Sequence, residues 1–184
     1  KPFFHNDLPN PHNSYSISKF EAEEGLKKIA EKSSMDFVII RSPAVYGKNC
    51  PGNFGKIENI IKKGFPLPFN KMDNQRSLLS IKNVTDLIYI CINKETAKNK
   101  IFLASDDKNL SLSQIITLLS ILNKKKIRMF KVNLFFLKFI LKFLFNNKTI
   151  ESLLGDLEID INYTKETLNW KPPFDPEKFI IENL

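Results

Sequence analysis

Tyr15 and Lys19 stand four residues apart in the run Tyr15-Ser16-Ile17-Ser18-Lys19, a spacing that puts both side chains on one face of a helix. A free phenol, with a pKa of about 10, is a poor base at neutral pH. An ammonium beside it stabilises the phenolate, and such a pair can take a proton from a hydroxyl. A lysine-rich helix also produces Tyr-x-x-x-Lys by chance, so the motif alone leaves both readings open. Arg76 is the second residue of chemical interest, because Arg41, Arg76 and Arg128 are the only arginines among 28 basic residues. A guanidinium fork binds phosphate oxygens with charge-assisted hydrogen bonds; a surface ion pair is the alternative for Arg76. His5 and His12 fall in the opening loop without metal-ligand partners, and a solvated state is expected for both. Cys50 and Cys91 show neither metal-ligand nor disulfide-framework spacing and read as thiols of a reducing compartment.

These groups need elements to hold them. Pro2 to Asn13, with three prolines and two histidines, reads as an irregular loop. Helical spacing of Ile17, Phe20, Leu26, Ile29 and Ala30 predicts a helix from Ser14 to about Lys32, with Glu21, Glu23 and Glu24 early and lysines late, as the dipole prefers. Phe37-Val38-Ile39-Ile40, apolar without alternation, predicts a parallel strand covered on both faces. After a loop from Ser42 to Asn53 come a helix over Phe54–Lys63, the turn-rich Gly64-Phe65-Pro66-Leu67-Pro68 and a short strand over Arg76–Ile81. Val84–Ile92 is helical by period, Ile101–Ala104 is a strand, and Ser111–Leu122 is a helix whose Ser111 and Gln114 match a capping box. Strands alternating with helices predict an α/β protein. No repeat or low-complexity linker divides the chain.

The 184 residues are 42% hydrophobic and 26% charged, the composition of a globular chain long enough to bury a core without staples. A formal charge of +8 and a pI near 9.4 permit a nucleic-acid partner or an anionic membrane, but the scarcity of arginine and the scatter of lysines argue against nucleic acid. Leu134–Phe145 is the most apolar segment, too short to span a bilayer, which takes about 20 apolar residues. Lys138 and Lys142 share one helix face, which predicts a core helix with a wet stripe; a helix lying on a membrane is the alternative reading. The chain opens at Lys1 without an initiator methionine or signal peptide, and a cytoplasmic location is expected.

The Tyr-x-x-x-Lys helix, behind a proline-rich loop and ahead of an apolar strand ending in Arg41-Ser42-Pro43-Ala44-Val45-Tyr46-Gly47, resembles the extended short-chain dehydrogenases that act on nucleotide sugars. The resemblance continues in order through Asn53-Phe54, Gly64 to Phe69, Asn74-Gln75-Arg76-Ser77-Leu78, Leu153-Leu154-Gly155, Asp160 and Leu168-Asn169-Trp170-Lys171-Pro172-Pro173. These blocks are similar to those of the UDP-N-acetylglucosamine 4-epimerase-like group and cover nearly the whole chain. By that resemblance Tyr15 is the acid/base on the sugar 4-hydroxyl, and Lys19 lowers its pKa and binds the nicotinamide ribose. Pro43 matches a residue beside the nicotinamide, and Asn53 and Arg76 match positions that hold the nucleotide diphosphate.

Departures from the family pattern are equally plain. The six glycines form no Gly-x-x-Gly-x-x-Gly or Gly-x-Gly-x-x-Gly turn, so the glycine-rich first βαβ unit that cradles a dinucleotide pyrophosphate is absent. The upstream serine or threonine of the family's site is absent too. Lys82 stands where the family usually carries aspartate, and Ser42 where it often carries proline. The expected fold is therefore the C-terminal portion of a Rossmann-like doubly wound sheet plus a small mixed α/β substrate-binding region, forming a single partial domain. Late Rossmann elements (about 14–47 and 84–105) would interleave with substrate-binding segments (about 48–83 and 106–184). The implied activity, within a longer chain, is NAD-dependent epimerisation at C4 of a UDP-sugar of the N-acetylhexosamine type through a 4-keto intermediate, in the setting of cell-surface polysaccharide synthesis. An NAD(P)-dependent 4-keto reductase or dehydratase is the alternative within the family, and an inactive truncated remnant or binding module the alternative outside it. The implied cofactor is NAD, with NADP the alternative, held mainly by the half not represented here. A homodimer is compatible with the full-length protein.

Overall fold

The computed structural model describes residues 1–48, 53–133, 135–137, 142, 150 and 154–183. Helix α1 (Ser14–Glu31) starts where the apolar period starts, and Asn13 caps it. The Asn13 side chain accepts from Ser16 N at 2.9 Å while the Ser16 hydroxyl accepts from Asn13 N at 3.2 Å, satisfying two otherwise orphaned amides. The glutamates lie beyond the first turn, too deep for the dipole to favour them. They form ion pairs instead, Glu24 with Lys27 and Glu23 with Arg41.

Strand β1 (Val38–Arg41) follows, then β2 (Val45–Tyr46), α2 (Asn53–Lys63), β3 (Arg76–Ser77), β4 (Leu79–Ser80), α3 (Ile81–Asn93), a 3-10 turn at Glu95–Ala97 and β5 (Lys100–Leu103). Beyond lie β6 (Asn109–Leu110), α4 (Leu112–Leu122), α5 (Asn162–Leu168) and α6 (Pro176–Asn183). β1 pairs parallel with β5, β2 parallel with β4, and β3 antiparallel with β6. The expected strand over Arg76–Ile81 is thus two short strands with different partners, because the chain crosses from β6 to β2 at the buried Leu78. Helix α3 begins at Ile81 rather than Val84, capped by the Ser80 hydroxyl on Asn83 N. The capping box at Ser111 and Gln114 is present at the head of α4.

Two apolar clusters divide the interior. One gathers Tyr46, Ile61, Leu67, Leu78 and Leu110 with the buried face of α4, Leu137 and the Phe179-Ile180 pair of α6. The other gathers Leu79, Leu87, Phe102 and Leu103 with Ile161, Leu168 and Trp170, and takes in Val38 and Ile40 of β1. Only Ile39 of β1 is buried, so the expected cover on both faces of that strand is incomplete among the described residues. The opening segment is tied down: Phe3 pairs with Ile159, and His5, exposed as expected, stacks on Tyr163 at 3.9 Å.

Gly47 ends the Val45-Tyr46-Gly47 run for a steric reason. A Cβ there would lie 2.8 Å from Ile81 Cγ2, so the β2 segment can approach the head of α3 only without a side chain.

Candidate active site

Tyr15 sits in the first turn of α1 and Lys19 one turn later, on the same face as the spacing requires. The Lys19 ammonium lies 5.5 Å from the centre of the Tyr15 ring, a cation resting against the phenol's π face. Tyr15 is 73% exposed. Both line an open cleft of about 740 Å³ floored by β1, walled by Phe20, Ala22 and Leu26 of α1, and closed at one end by the Pro9-Asn10-Pro11 loop. The greater part of the cleft's lining is apolar, and α1 has no buried residue at all. Apart from β5, no strand pairs with β1 among the described residues.

One side-chain pair ties α1 to the strand beneath it. Arg41, the last residue of β1, donates through Nε to both carboxylate oxygens of Glu23 at 3.1 Å and through Nη2 to Oε2 at 2.6 Å. The two side chains are only 23% and 18% exposed, so this fork-to-carboxylate bond is well screened from water and directional. It fixes α1 against the carboxyl end of β1, and with it the Tyr15–Lys19 face. Sequence reading quoted Arg41 but missed this role, since nothing local links it to Glu23 eighteen residues earlier. Pro43, itself half-buried, follows the cleft's last lining residue, the exposed Ser42, by one position in the β1–β2 connection.

Arg76 lies elsewhere, in β3, and does not line that cleft. It is half-buried and donates from Nη1 to the Gly155 carbonyl at 2.8 Å, so it is no surface ion pair. Burial pushes its guanidinium below the usual arginine range, against the pull of Asp156. The segment around Leu157 runs beside β3, with Ser77 N on Leu157 O and Leu157 N on Gln75 O. Two sequence blocks 79 residues apart, Asn74 to Leu78 and Leu153 to Gly155, thus meet through Arg76. The side chain of Asn53, the first residue of α2, lies outside what the structure describes, as do Cys50 and Leu153.

Behind both regions lies a buried polar junction. Asp106, 5% exposed, accepts from Tyr46 Oη at 2.8 Å, Ser80 N at 2.9 Å and Asn83 Nδ2 at 2.6 Å. Burial raises its carboxyl above the ordinary range, although these three donors oppose the shift. Burial likewise pushes the Tyr46 phenol up, with the Asp106 charge adding to it. Asn83 extends the junction to the backbone of Phe174 in both directions. Lys82 lies 5.0 Å above the Phe174 ring, an aromatic partner in place of the carboxylate chemistry that an aspartate would bring. Among the described residues no group of histidine, cysteine and carboxylate side chains could hold a metal.

Comparison with known proteins adds an independent line. The UDP-glucose 4-epimerase of Vibrio cholerae is 40% identical over 173 residues, 94% of this chain and 53% of that protein. The UDP-glucuronic acid 4-epimerase of Bacillus cereus in complex with NAD superposes with a TM-score of 0.76 at 14% identity, covering 99% of this chain and 52% of that one. The UDP-N-acetylglucosamine 4-epimerase of Bacillus cereus gives 0.75 at 15% identity, covering 98% and 57%. This chain spans about half the length of each. The two structural matches carry the fold, a Rossmann-like mixed α/β arrangement. Residues 2–104 match the family described as NAD dependent epimerase/dehydratase, a stretch that holds the Tyr15–Lys19 face, the Arg41 clamp and Arg76. On that match, which takes in more than half of its residues, the chain belongs to the NAD dependent epimerase/dehydratase family.

Proposed function

We propose that this chain is the C-terminal part of an NAD-dependent nucleotide-sugar 4-epimerase acting on a UDP-N-acetylhexosamine. The observation that carries the reading is the Tyr15–Lys19 face, turned into the α1–β1 cleft beside the carboxyl end of a parallel strand, where open α/β sheets bind ligands. Three relatives named as 4-epimerases of UDP-glucose, UDP-N-acetylglucosamine and UDP-glucuronic acid support the reaction class. The sequence blocks described above favour the N-acetylhexosamine among them.

The residues present suit one end of the cofactor. Tyr15 and Lys19 are open to a ribose and a nicotinamide, with Pro43 close along the chain, whereas the glycines offer no turn for the pyrophosphate. NAD, when bound, supplies the acceptor for the C4 hydride and gives it back. The chain's own part is the proton. The Tyr15 oxygen takes it from the sugar 4-hydroxyl and returns it, and the Lys19 ammonium donates to the ribose hydroxyls. Arg76 spends one Nη1 donor on Gly155; its Nε and Nη2 donors remain for the diphosphate, with Asn53 as the second contact. Residues 14–47 and 84–105 would complete a Rossmann sheet while 48–83 and 106–184 shape the substrate region, a division that the two apolar clusters support in part, with Tyr46 and Leu79 each in the cluster across the boundary. Ile161 to Trp170 pack on the Rossmann side of it.

The longer protein should be incubated with NAD and UDP-glucose or UDP-N-acetylglucosamine, and the products resolved by chromatography. Conversion to the C4 epimer, faster for the acetamido sugar, is expected. Net consumption of NADPH or loss of water from the sugar would establish the reductase or dehydratase instead.

A further inference from the structure

We propose that the surface between the C-terminal end of α4 and residue 136 is a docking face for an anionic lipid bilayer. Its sequence is one-sided in charge: from Asn123 to Phe136 it carries five lysines and arginines and no aspartate or glutamate. The Lys124-Lys125-Lys126 run, Arg128 and Lys131 are all exposed. Among the described residues none of these five pairs with a carboxylate.

Backbone geometry puts aromatic rings among these cations. Leu67 N donates to Arg128 O and Phe130 N to Leu67 O, so residues 127–130 run extended along the Leu67 segment. Side chains alternate on such a stretch. Ile127 and Met129 pack inward against the first apolar cluster, which turns Arg128 and Phe130 outward together. Phe130 is 47% exposed, Phe135 84% and Phe136 56%, while Leu137 between them and the core is fully buried. Of the expected core helix over 134–145 only residues 135–137 and 142 are described, the rest lying outside the described residues; Leu137 is buried and the two preceding rings are exposed. Exposed phenylalanines interleaved with unpaired lysines match a bilayer interface, where rings enter the headgroup layer and ammonium groups meet anionic lipid. No helix among the described residues is long and apolar enough to cross a membrane, so the contact is with the surface. The inference does not depend on which sugar the protein acts on.

Flotation of the 184-residue chain with vesicles tests it, using phosphatidylcholine alone or mixed with phosphatidylglycerol in about equal parts. Flotation with the mixed vesicles only, reversed by molar salt, is expected. Each cation near such a surface is worth about fivefold in affinity, so the triple change Lys124→Gln, Lys125→Gln, Lys126→Gln should weaken binding on the order of a hundredfold. Phe135→Ser with Phe136→Ser should also release the chain, and both variants should keep the wild-type unfolding midpoint because the changed side chains are exposed. No flotation, equal flotation with phosphatidylcholine alone, or full binding by the lysine variant would overturn the proposal. So would displacement of the chain from mixed vesicles by an equal charge of duplex DNA, which would identify a nucleic-acid face, or a lysine-dependent dimer that leaves vesicles untouched.

Discussion

Asp106 accepts hydrogen bonds from three buried donors that belong to β2, the β4–α3 junction and α3. Asp106→Ala would take this acceptor from the Tyr46 hydroxyl and Ser80 N and leave Asn83 Nδ2 with the Phe174 carbonyl alone, at about 1–3 kcal/mol for each orphaned group, so a loss on the order of 3 kcal/mol is expected in urea unfolding. Asp106→Asn keeps the shape and one carbonyl oxygen and should cost less. Its pH dependence has a definite sign. Burial raises this carboxyl in the folded chain, so its contribution to stability is fully present below the ordinary aspartate range and is lost as pH rises through the folded value. Unfolding midpoints measured across that range should decline for wild type relative to Asp106→Asn. At Arg76 the expected effect is on ligand: Arg76→Ala should weaken UDP binding by roughly 1.5–3 kcal/mol, about ten- to a hundredfold, and Arg76→Lys should fall between. If Arg76 serves only to hold the Gly155 carbonyl, calorimetric UDP affinities will be equal in all three and only unfolding will change. Tyr15 and Lys19 stand out in the sequence by residue type and local spacing, and Arg76 by the scarcity of arginine, so all three are candidates before any fold is known. Asp106 is not, since its partners lie 26, 23 and 60 residues away and only the fold assembles them.

Helix α1 is the element on which the site depends, and it is held by few interactions. With no buried residue, it relies on the Asn13 cap and the Arg41–Glu23 bond. Asn13→Ala should destabilise the helix by about 1 kcal/mol, and amide exchange should speed up in its first turn, around Tyr15, while β1 and β5 stay protected. Unchanged exchange there would show that the cap is not what orders the turn that carries Tyr15. The two capping boxes differ in how visible they were. Ser111 with Gln114 follows the serine-to-glutamine pattern, whereas Asn13 with Ser16 does the same work through a serine hydroxyl and escapes that pattern. Strand β3 and strand β4 read as one strand in the sequence because both are short and flanked by apolar residues. Their separate partners, β6 and β2, are fixed by contacts far along the chain.

At the scale of the whole molecule, a chain about half as long as its relatives presents a β1 edge unshared among the described residues, a helix without buried residues and a candidate site with no pyrophosphate turn. Helix N-termini and glycine turns supply most of the grip on a dinucleotide. The 184-residue chain alone is therefore expected to bind NAD weakly or not at all, and micromolar binding in a calorimeter would contradict that. The central claim concerns the Tyr15 proton, and turnover of UDP-N-acetylglucosamine by the longer protein, wild type against Tyr15→Phe, tests it most directly. The rate should fall by about 10²–10⁴ while UDP-sugar affinity stays nearly unchanged, because only the proton-transfer group is lost. A phenylalanine variant that keeps more than about a tenth of the wild-type rate would contradict the account.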